Sequence, residues 1–479
     1  MIGAPYYRLG CILRQHAHRT GAFVIVILSL IGCENAGDPP SLKAELGAVA
    51  AATQRPGDPR LGYDVIASGS YMTCGMPYSA WRRVNNPPEP AQALPGRDGY
   101  EVPYYMTVSS NADGVDVVNP NCLLCHGGSF DGELIVGLGN ESLDFTEDPV
   151  QLADAIGAYV VGERETDAWR KWAERITAIA PYMITDTVGV NPAPNLTLAL
   201  IAHREPGTLR WAEAPLIQPP PEQPLPVSVP PWWWMAKKHA MFYNAMGRGD
   251  HVRFMMMKSL VCTDTVGEAE TIDEMFTHVR AYIASLDAPE YPFSIDEDLA
   301  AQGNEVFEEQ CASCHGTYGD EAQYPNRVIG LDVVGTDRAY ALRAYEESDE
   351  FMDWFNRSWY GEIAEARPAP GYIAPPLDGI WATAPFLHNG SVPTIEALLD
   401  SSKRPAYWLR SFDSTDFDDD ALGWRYQALG YGKEAASDPR QRKRIYDTTL
   451  RGYSNAGHTF GDDLTDAERR AIIEYLKTL

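Results

Sequence analysis

Cys122-Leu123-Leu124-Cys125-His126 and Cys311-Ala312-Ser313-Cys314-His315 repeat one spacing, C-x-x-C-H, in a chain of 479 residues. Two thiols three positions apart on a helical turn reach both vinyl groups of a haem, and the adjacent imidazole then lies under the iron as an axial ligand. The spacing therefore predicts two covalently bound haem c groups. One is held by Cys122 and Cys125 with His126, the other by Cys311 and Cys314 with His315. Two other chemistries use cysteine pairs. A thioredoxin-like dithiol needs a strand–helix–strand setting that neither pair has. A zinc ribbon sets its pairs ~15 to 20 residues apart, whereas 185 residues lie between Cys125 and Cys311. Of the other cysteines, Cys11 and Cys33 fall in the N-terminal segment. Cys74 and Cys262 either form a disulfide or stay as two separately buried thiols.

Helical periodicity dominates on either side of the motifs, and strand signals are few and short. From Asp167 to Met183, Trp169, Trp172, Ile176 and Ile179 recur at spacings of three and four, the pattern of one apolar helix face. Thr271 to Leu286 repeats it with Ile272, Met275, Phe276, Val279 and Ile283. Asp296 to Gln310, with Leu299, Val306 and Phe307, leads directly into the second motif. At the end of the chain Thr465 caps a helix whose Glu468 lies three residues on, ahead of Ile472, Ile473, Tyr475 and Leu476. The proline-rich stretch from Pro219 to Pro231 reads as an extended connection wrapped over the surface.

At the N-terminus Arg8, Arg14 and Arg19 precede an apolar run from Phe23 to Leu30, too short to span a bilayer, so residues 1–33 read as a targeting segment. Its end, Leu30-Ile31-Gly32-Cys33, resembles the lipobox of bacterial lipoproteins, in which the cysteine is lipidated. Cys33 is then a lipid anchor on a protein facing the periplasm or cell surface; an ordinary secretory signal cleaved nearby exports the chain equally. Residues 34–60 read as a tether, 61–290 as an N-terminal haem domain and 291–479 as a C-terminal cytochrome c-like domain. With 39 basic against 66 acidic residues the net charge is -27, which argues against nucleic acid as a partner. A basic or neutral electron partner, such as a cytochrome or a copper protein, fits that charge, as does plain solubility.

Pro375-Pro376-Leu377-Asp378-Gly379-Ile380-Trp381, continuing to His388-Asn389-Gly390-Ser391-Val392-Pro393-Thr394, resembles the H-[DN]-G-S-V-P-T segment of the dihaem cytochrome c peroxidase superfamily. Together with Pro230 to Asp250, Ser454-Asn455-Ala456-Gly457-His458 and the Ile473 to Leu479 ending, the chain looks most like the rubber oxygenase branch. The resemblance runs from about Gly62 to the end. It implies a mainly α fold with two cytochrome c-like haem-binding cores, long loops and few strands. It implies dioxygen, or hydrogen peroxide as in the peroxidases, at the N-terminal haem, and a six-coordinate electron-transfer haem at the C-terminal one. This chain is shorter than the characterised rubber oxygenases after its second motif, so the substrate, small molecule or polymer, does not follow from the resemblance. A calcium ion would be a further component, and no residue pattern assigns one.

An iron that transfers electrons needs ligands on both faces, and one that binds oxygen or peroxide needs an open face. After His315 the candidates are His388, His458 and Met352. His458 is favoured, because in dihaem peroxidases the sixth ligand comes from beyond the H-[DN]-G histidine. His388 is the alternative, and the acidic neighbours of Met352 suit a solvated face. After His126 no histidine occurs before His203, and no methionine lies between Met106 and Met183. That favours an open first iron, with His203, His239, His251 and His278 as more distant candidates. In the resembling family a tryptophan relays electrons between the haems, and Trp232, Trp233 and Trp234 are its candidates here; a buried aromatic cluster is the plain alternative. Phe242 and Tyr243 are placed at the open face, and Lys237, Lys238 and Arg248 at haem propionates. Ordinary core aromatics and a solvated basic face compete with both assignments. Met255, Met256 and Met257 read as core filling. The reading is an oxidoreductase of peroxidase or dioxygenase type. Its rivals are a non-catalytic dihaem electron carrier and a sensor or assembly subunit.

Overall fold

Two helix pairs cross where a glycine removes the side chain that would hold them apart. Helix Glu297–Gln310 starts at Asp296, whose carboxylate accepts from the Leu299 N–H at 3.0 Å, and crosses the C-terminal helix Asp466–Lys477. At the crossing a Cβ on Gly303 would lie 1.9 Å from the Ala471 carbonyl oxygen. The earlier pair, Pro59–Ser68 and Val266–Ile283, crosses in the same way, with Gly62 against the His278 carbonyl at 2.1 Å. Both later helices carry a capping box, Thr265 with Glu268 and Thr465 with Glu468. The structure, a computed structural model, describes residues 46–88, 94 and 99–479. The targeting segment with Cys33 lies outside the described residues.

The helical expectations correspond to helices Glu163–Ile179, Val266–Ile283, Glu297–Gln310 and Asp466–Lys477. The fold class does not hold: the chain is mixed, 39% helical and 13% strand in several small sheets, rather than mainly α with two cytochrome c-like cores. Two of the six small sheets among the described residues lie beside the first motif. Met106–Ser110 pairs antiparallel with Asp116–Pro120, which also pairs with Met76–Pro77 and runs straight into Cys122. The hairpin Gly127–Phe130 with Glu133–Val136 follows His126 at once. These strands are two to five residues long, which gives a period of two too few repeats to stand out from helical or loop sequence.

The proline-rich stretch departs from expectation too. It is extended, but Leu225, Val227, Ser228 and Val229 are buried, so its second half runs through the interior instead of over the surface. From Glu45 to Leu479 the chain is one compact unit. The larger apolar cluster surrounds the first motif and borrows Phe351, Trp354, Phe355 and Tyr360 from the second half. The cluster around the second motif borrows Phe130, Leu138, Trp233 and Trp234 from the first. A disulfide joins Cys74 to Cys262, with Cα atoms 5.4 Å apart. Among the described residues no helix is long and apolar enough to cross a membrane.

Candidate functional site: two C-x-x-C-H centres

The first motif is held by Asn121. Its Oδ1 accepts from the Leu123 N–H at 2.8 Å, and its Nδ2 donates to the Tyr104 carbonyl at 2.8 Å. This fastens the short helix Leu123–His126 to the end of strand Asp116–Pro120. Cys122, Cys125 and His126 open together into a cavity of about 380 Å³. Its wall is largely apolar, with Trp232, Met241, Phe242, Phe254 and Met255 among the lining side chains. The His126 ring stacks on Trp232 with centroids 5.0 Å apart. Burial lowers the His126 pKa to about 4, so the imidazole is neutral, as a metal ligand must be. The Pro230 carbonyl lies beside the ring and favours its proton, although no hydrogen bond of normal geometry reaches Nδ1.

At the second motif the corresponding bond is formed. His315 Nδ1 donates to the Pro375 carbonyl at 2.8 Å, which leaves Nε2 with a free lone pair. The His458 ring faces it at 6.2 Å between centroids. Two imidazoles bound to one metal from opposite sides through nitrogens at ~2 Å place their centres about 6 Å apart. The His458 backbone is left-handed, with φ 47°, a conformation a histidine keeps only when its surroundings impose it. Two contacts impose that constraint, the Val334 carbonyl, which accepts from the His458 N–H at 2.6 Å, and Arg404. Its guanidinium donates to the carbonyls of Asn455 at 2.7 Å, Gly457 at 2.6 Å and His458 at 3.0 Å, while also holding Ala397 and Leu398. The next turn of the loop is pinned by Asn389, whose Nδ2 donates to the Gly452 and Ser454 carbonyls at 2.9 and 3.0 Å.

His388 lies elsewhere. Its ring stacks on Tyr372 at 4.0 Å and meets Tyr243 and Tyr340, both of which line the first cavity. Burial lowers its pKa to about 3. Met352 also lines the first cavity. Three of the more distant histidines have structural partners: His203 Nδ1 meets the Ala212 carbonyl at 2.9 Å, His239 Nδ1 the Val49 carbonyl at 2.8 Å, and His278 Nδ1 accepts from the Asp58 N–H at 2.9 Å. His251 is the exception, as it lines the cavity with a buried Nε2 that has no hydrogen bond of normal geometry among the described residues, although the His239 carbonyl lies beside its ring. Met256 and Met257 are buried in the core.

Between the motifs the tryptophans converge on one atom. Trp233 and Trp234 donate their indole N–H groups to the Asp378 carbonyl at 2.7 and 2.8 Å. The Asp378 carboxylate in turn pairs with Lys237 at 2.6 Å. Arg248 Nε donates to the Ala245 carbonyl. Sequence reasoning missed Arg404, Asn121 and the Asp378 junction, since each acts through a backbone contact with a distant segment.

The four motif cysteines are unbridged. Burial pushes the Cys125 and Cys311 thiols up to about 11, the reverse of the stabilised thiolate that a redox dithiol needs. An apolar cavity opening on two thiols and a neutral imidazole fits haem c, as does a histidine pair at the spacing of one iron. Residues 371–409 match the family described as RoxA-like, cytochrome c-like. The matched stretch contains Pro375, Asp378, His388 and Arg404. The match supports a rubber oxygenase-like cytochrome, and with it haem c and a haem-containing oxidoreductase. The chain is 33% identical over 248 residues to "Uncharacterized protein y4iM" of Sinorhizobium fredii (strain NBRC 101917 / NGR234), covering 44% of this chain and 56% of the relative. It is 31% identical over 299 residues to "Uncharacterized protein y4iJ" of the same organism, covering 47% of each. The chain thus spans about half the length of the curated relatives it matches.

Proposed function

We propose that the chain is an exported dihaem oxidoreductase in which the His126 haem meets dioxygen or peroxide and the His315 haem, closed by His458, transfers electrons. The observation that carries this reading is the asymmetry of the two centres. A second imidazole stands across from His315 at 6.2 Å, while His126 opens into a cavity with a largely apolar wall. Haem bound there would supply the redox chemistry. The protein's part is to exclude water with the wall that includes Phe242 and Phe254, and to connect the centres. The connection runs from the His126 ring to the stacked Trp232, along the chain to Trp233 and Trp234, through their N–H bonds to the Asp378 carbonyl, and by three residues to Pro375, whose carbonyl accepts from His315.

The division into a first haem-bearing part at 61–290 and a second at 291–479 belongs to this reading. So do a small-molecule or polymer substrate and a cytochrome or copper protein as electron partner. The Cys74–Cys262 disulfide supports an oxidising compartment. Lipidation of Cys33 would hold the protein at a membrane, and Cys33→Ala is expected to move it to the soluble fraction; continued membrane association would contradict the anchor. The test of function is ligand binding to the purified protein. Cyanide or carbon monoxide is expected to bind one haem per chain. A second reading, a non-catalytic electron carrier, is favoured by Met352 in the wall of the first cavity. Refusal of both ligands by both haems, even after partial reduction, would establish it instead.

A further inference from the structure

The chain carries 66 acidic and 39 basic residues, yet the cavity beside His126 reverses that balance. Its lining includes Lys238, Lys258 and Arg343 and no aspartate or glutamate. Lys258 is spent on the Pro120 carbonyl at 2.7 Å, and Arg343 donates to the Gln223 carbonyl. Lys237, the neighbour of Lys238, is paired with Asp378. Lys238 has no ion pair among the described residues, and burial alone lowers its pKa to about 8. The same cavity wall holds two more polar groups with unused nitrogens. His251 is 3% exposed, with the His239 carbonyl beside its ring but no hydrogen bond of normal geometry at Nε2, and Asn244 is fully buried, with Nδ2 unpartnered. Both line the same cavity. Arg280 acts on His251 electrostatically, and its buried Nε also lacks a partner. It lies on the helix face of Phe276 and Ile283, which line the cavity. Asp250, the acid that acts on His251, is taken up by Arg55 at 2.8 Å and by the Val252 N–H at 2.9 Å, and Glu141, which acts on Cys125 and Tyr243, is taken up by Ser228 Oγ and the Val229 N–H. Buried donors and an ammonium without acceptors cost free energy that a bound anion would recover.

We propose that Lys238, His251 and Asn244, backed by Arg280, form a carboxylate-binding cradle in the first cavity. The carboxylate is either a propionate of the haem on Cys122 and Cys125 or that of a small-molecule ligand entering beside it. The inference rests on haem attachment at that motif. It narrows the basic residues near this haem to Lys238 and adds three that no motif marks.

The test is spectroelectrochemistry of the purified holoprotein and its Lys238→Met and Lys238→Gln variants, each also titrated with benzoate. If the occupant is a propionate, both variants lower the potential of the first haem and leave the second unchanged, because an uncompensated carboxylate favours the ferric iron. Lys238→Arg, which keeps the charge, restores it. A free-carboxylate site is told apart by benzoate rather than by the ligand-free potential, since losing the Lys238 charge lowers that potential in either case. Benzoate then shifts the first haem's absorption in the wild type and binds at least tenfold more weakly to the variants. Unchanged potentials together with unchanged or absent benzoate binding would overturn the cradle. A wild type with no haem at Cys122 and Cys125 would instead refute the attachment on which it rests.

Discussion

His388 is buried and His458 half-buried, both with lowered pKa values, and their neighbours tell their roles apart. One ring faces His315 and the other lies among tyrosines. His458→Ala is therefore expected to turn the second haem from low-spin to high-spin, and His388→Ala to leave its spectrum unchanged. The reverse result in paramagnetic resonance would reassign the ligand. Glu141 gives a prediction in pH. Burial raises its carboxyl to about 7, against the bonds it accepts from Ser228 Oγ and the Val229 N–H and the charge of Arg410. The unfolded carboxyl ionises near 4.5, so its contribution is complete below that pH. Between about 4.5 and 7 the unfolded chain loses the proton first, and stability falls as pH rises, by roughly 3 kcal/mol. Glu141→Gln should flatten urea midpoints across that window. An unchanged slope would show that another group titrates.

The loop that presents His458 illustrates why elements were only partly legible. Helices of 12 to 18 residues declare themselves through apolar spacing and caps, and four were readable from the sequence. Strands of two to five residues do not, nor does an extended stretch such as Leu225 to Val229, whose burial depends on what packs over it. The motif cysteines and histidines stood out in the sequence because the spacing C-x-x-C-H occurs twice. Arg404 was not, since one arginine acquires meaning only when a segment 51 residues further on meets its guanidinium. Arg404→Gln removes most of those donors and frees a strained backbone. A mixture of low-spin and high-spin second haem is expected, with stability lower by about 2 to 4 kcal/mol from the carbonyls left unpaired. A fully low-spin spectrum at unchanged stability would mean that the loop holds its own shape.

Across the whole molecule the two motifs are framed alike and finished differently. Each lies between helices that cross at a glycine, Gly62 or Gly303, and each histidine has a proline carbonyl beside it, Pro230 or Pro375. The second receives His458, while the first receives a cavity and a stacked tryptophan. Segments exchanged between the two apolar clusters tie the centres together, and the Asp378 carbonyl joins Trp233 and Trp234 to the backbone that leads to His315. Function in this account follows from that asymmetry, one centre closed and one open. A single electron paramagnetic resonance spectrum of the oxidised, purified protein tests it most directly. Equal amounts of one low-spin and one high-spin ferric haem per chain are expected, and two low-spin haems would contradict the account.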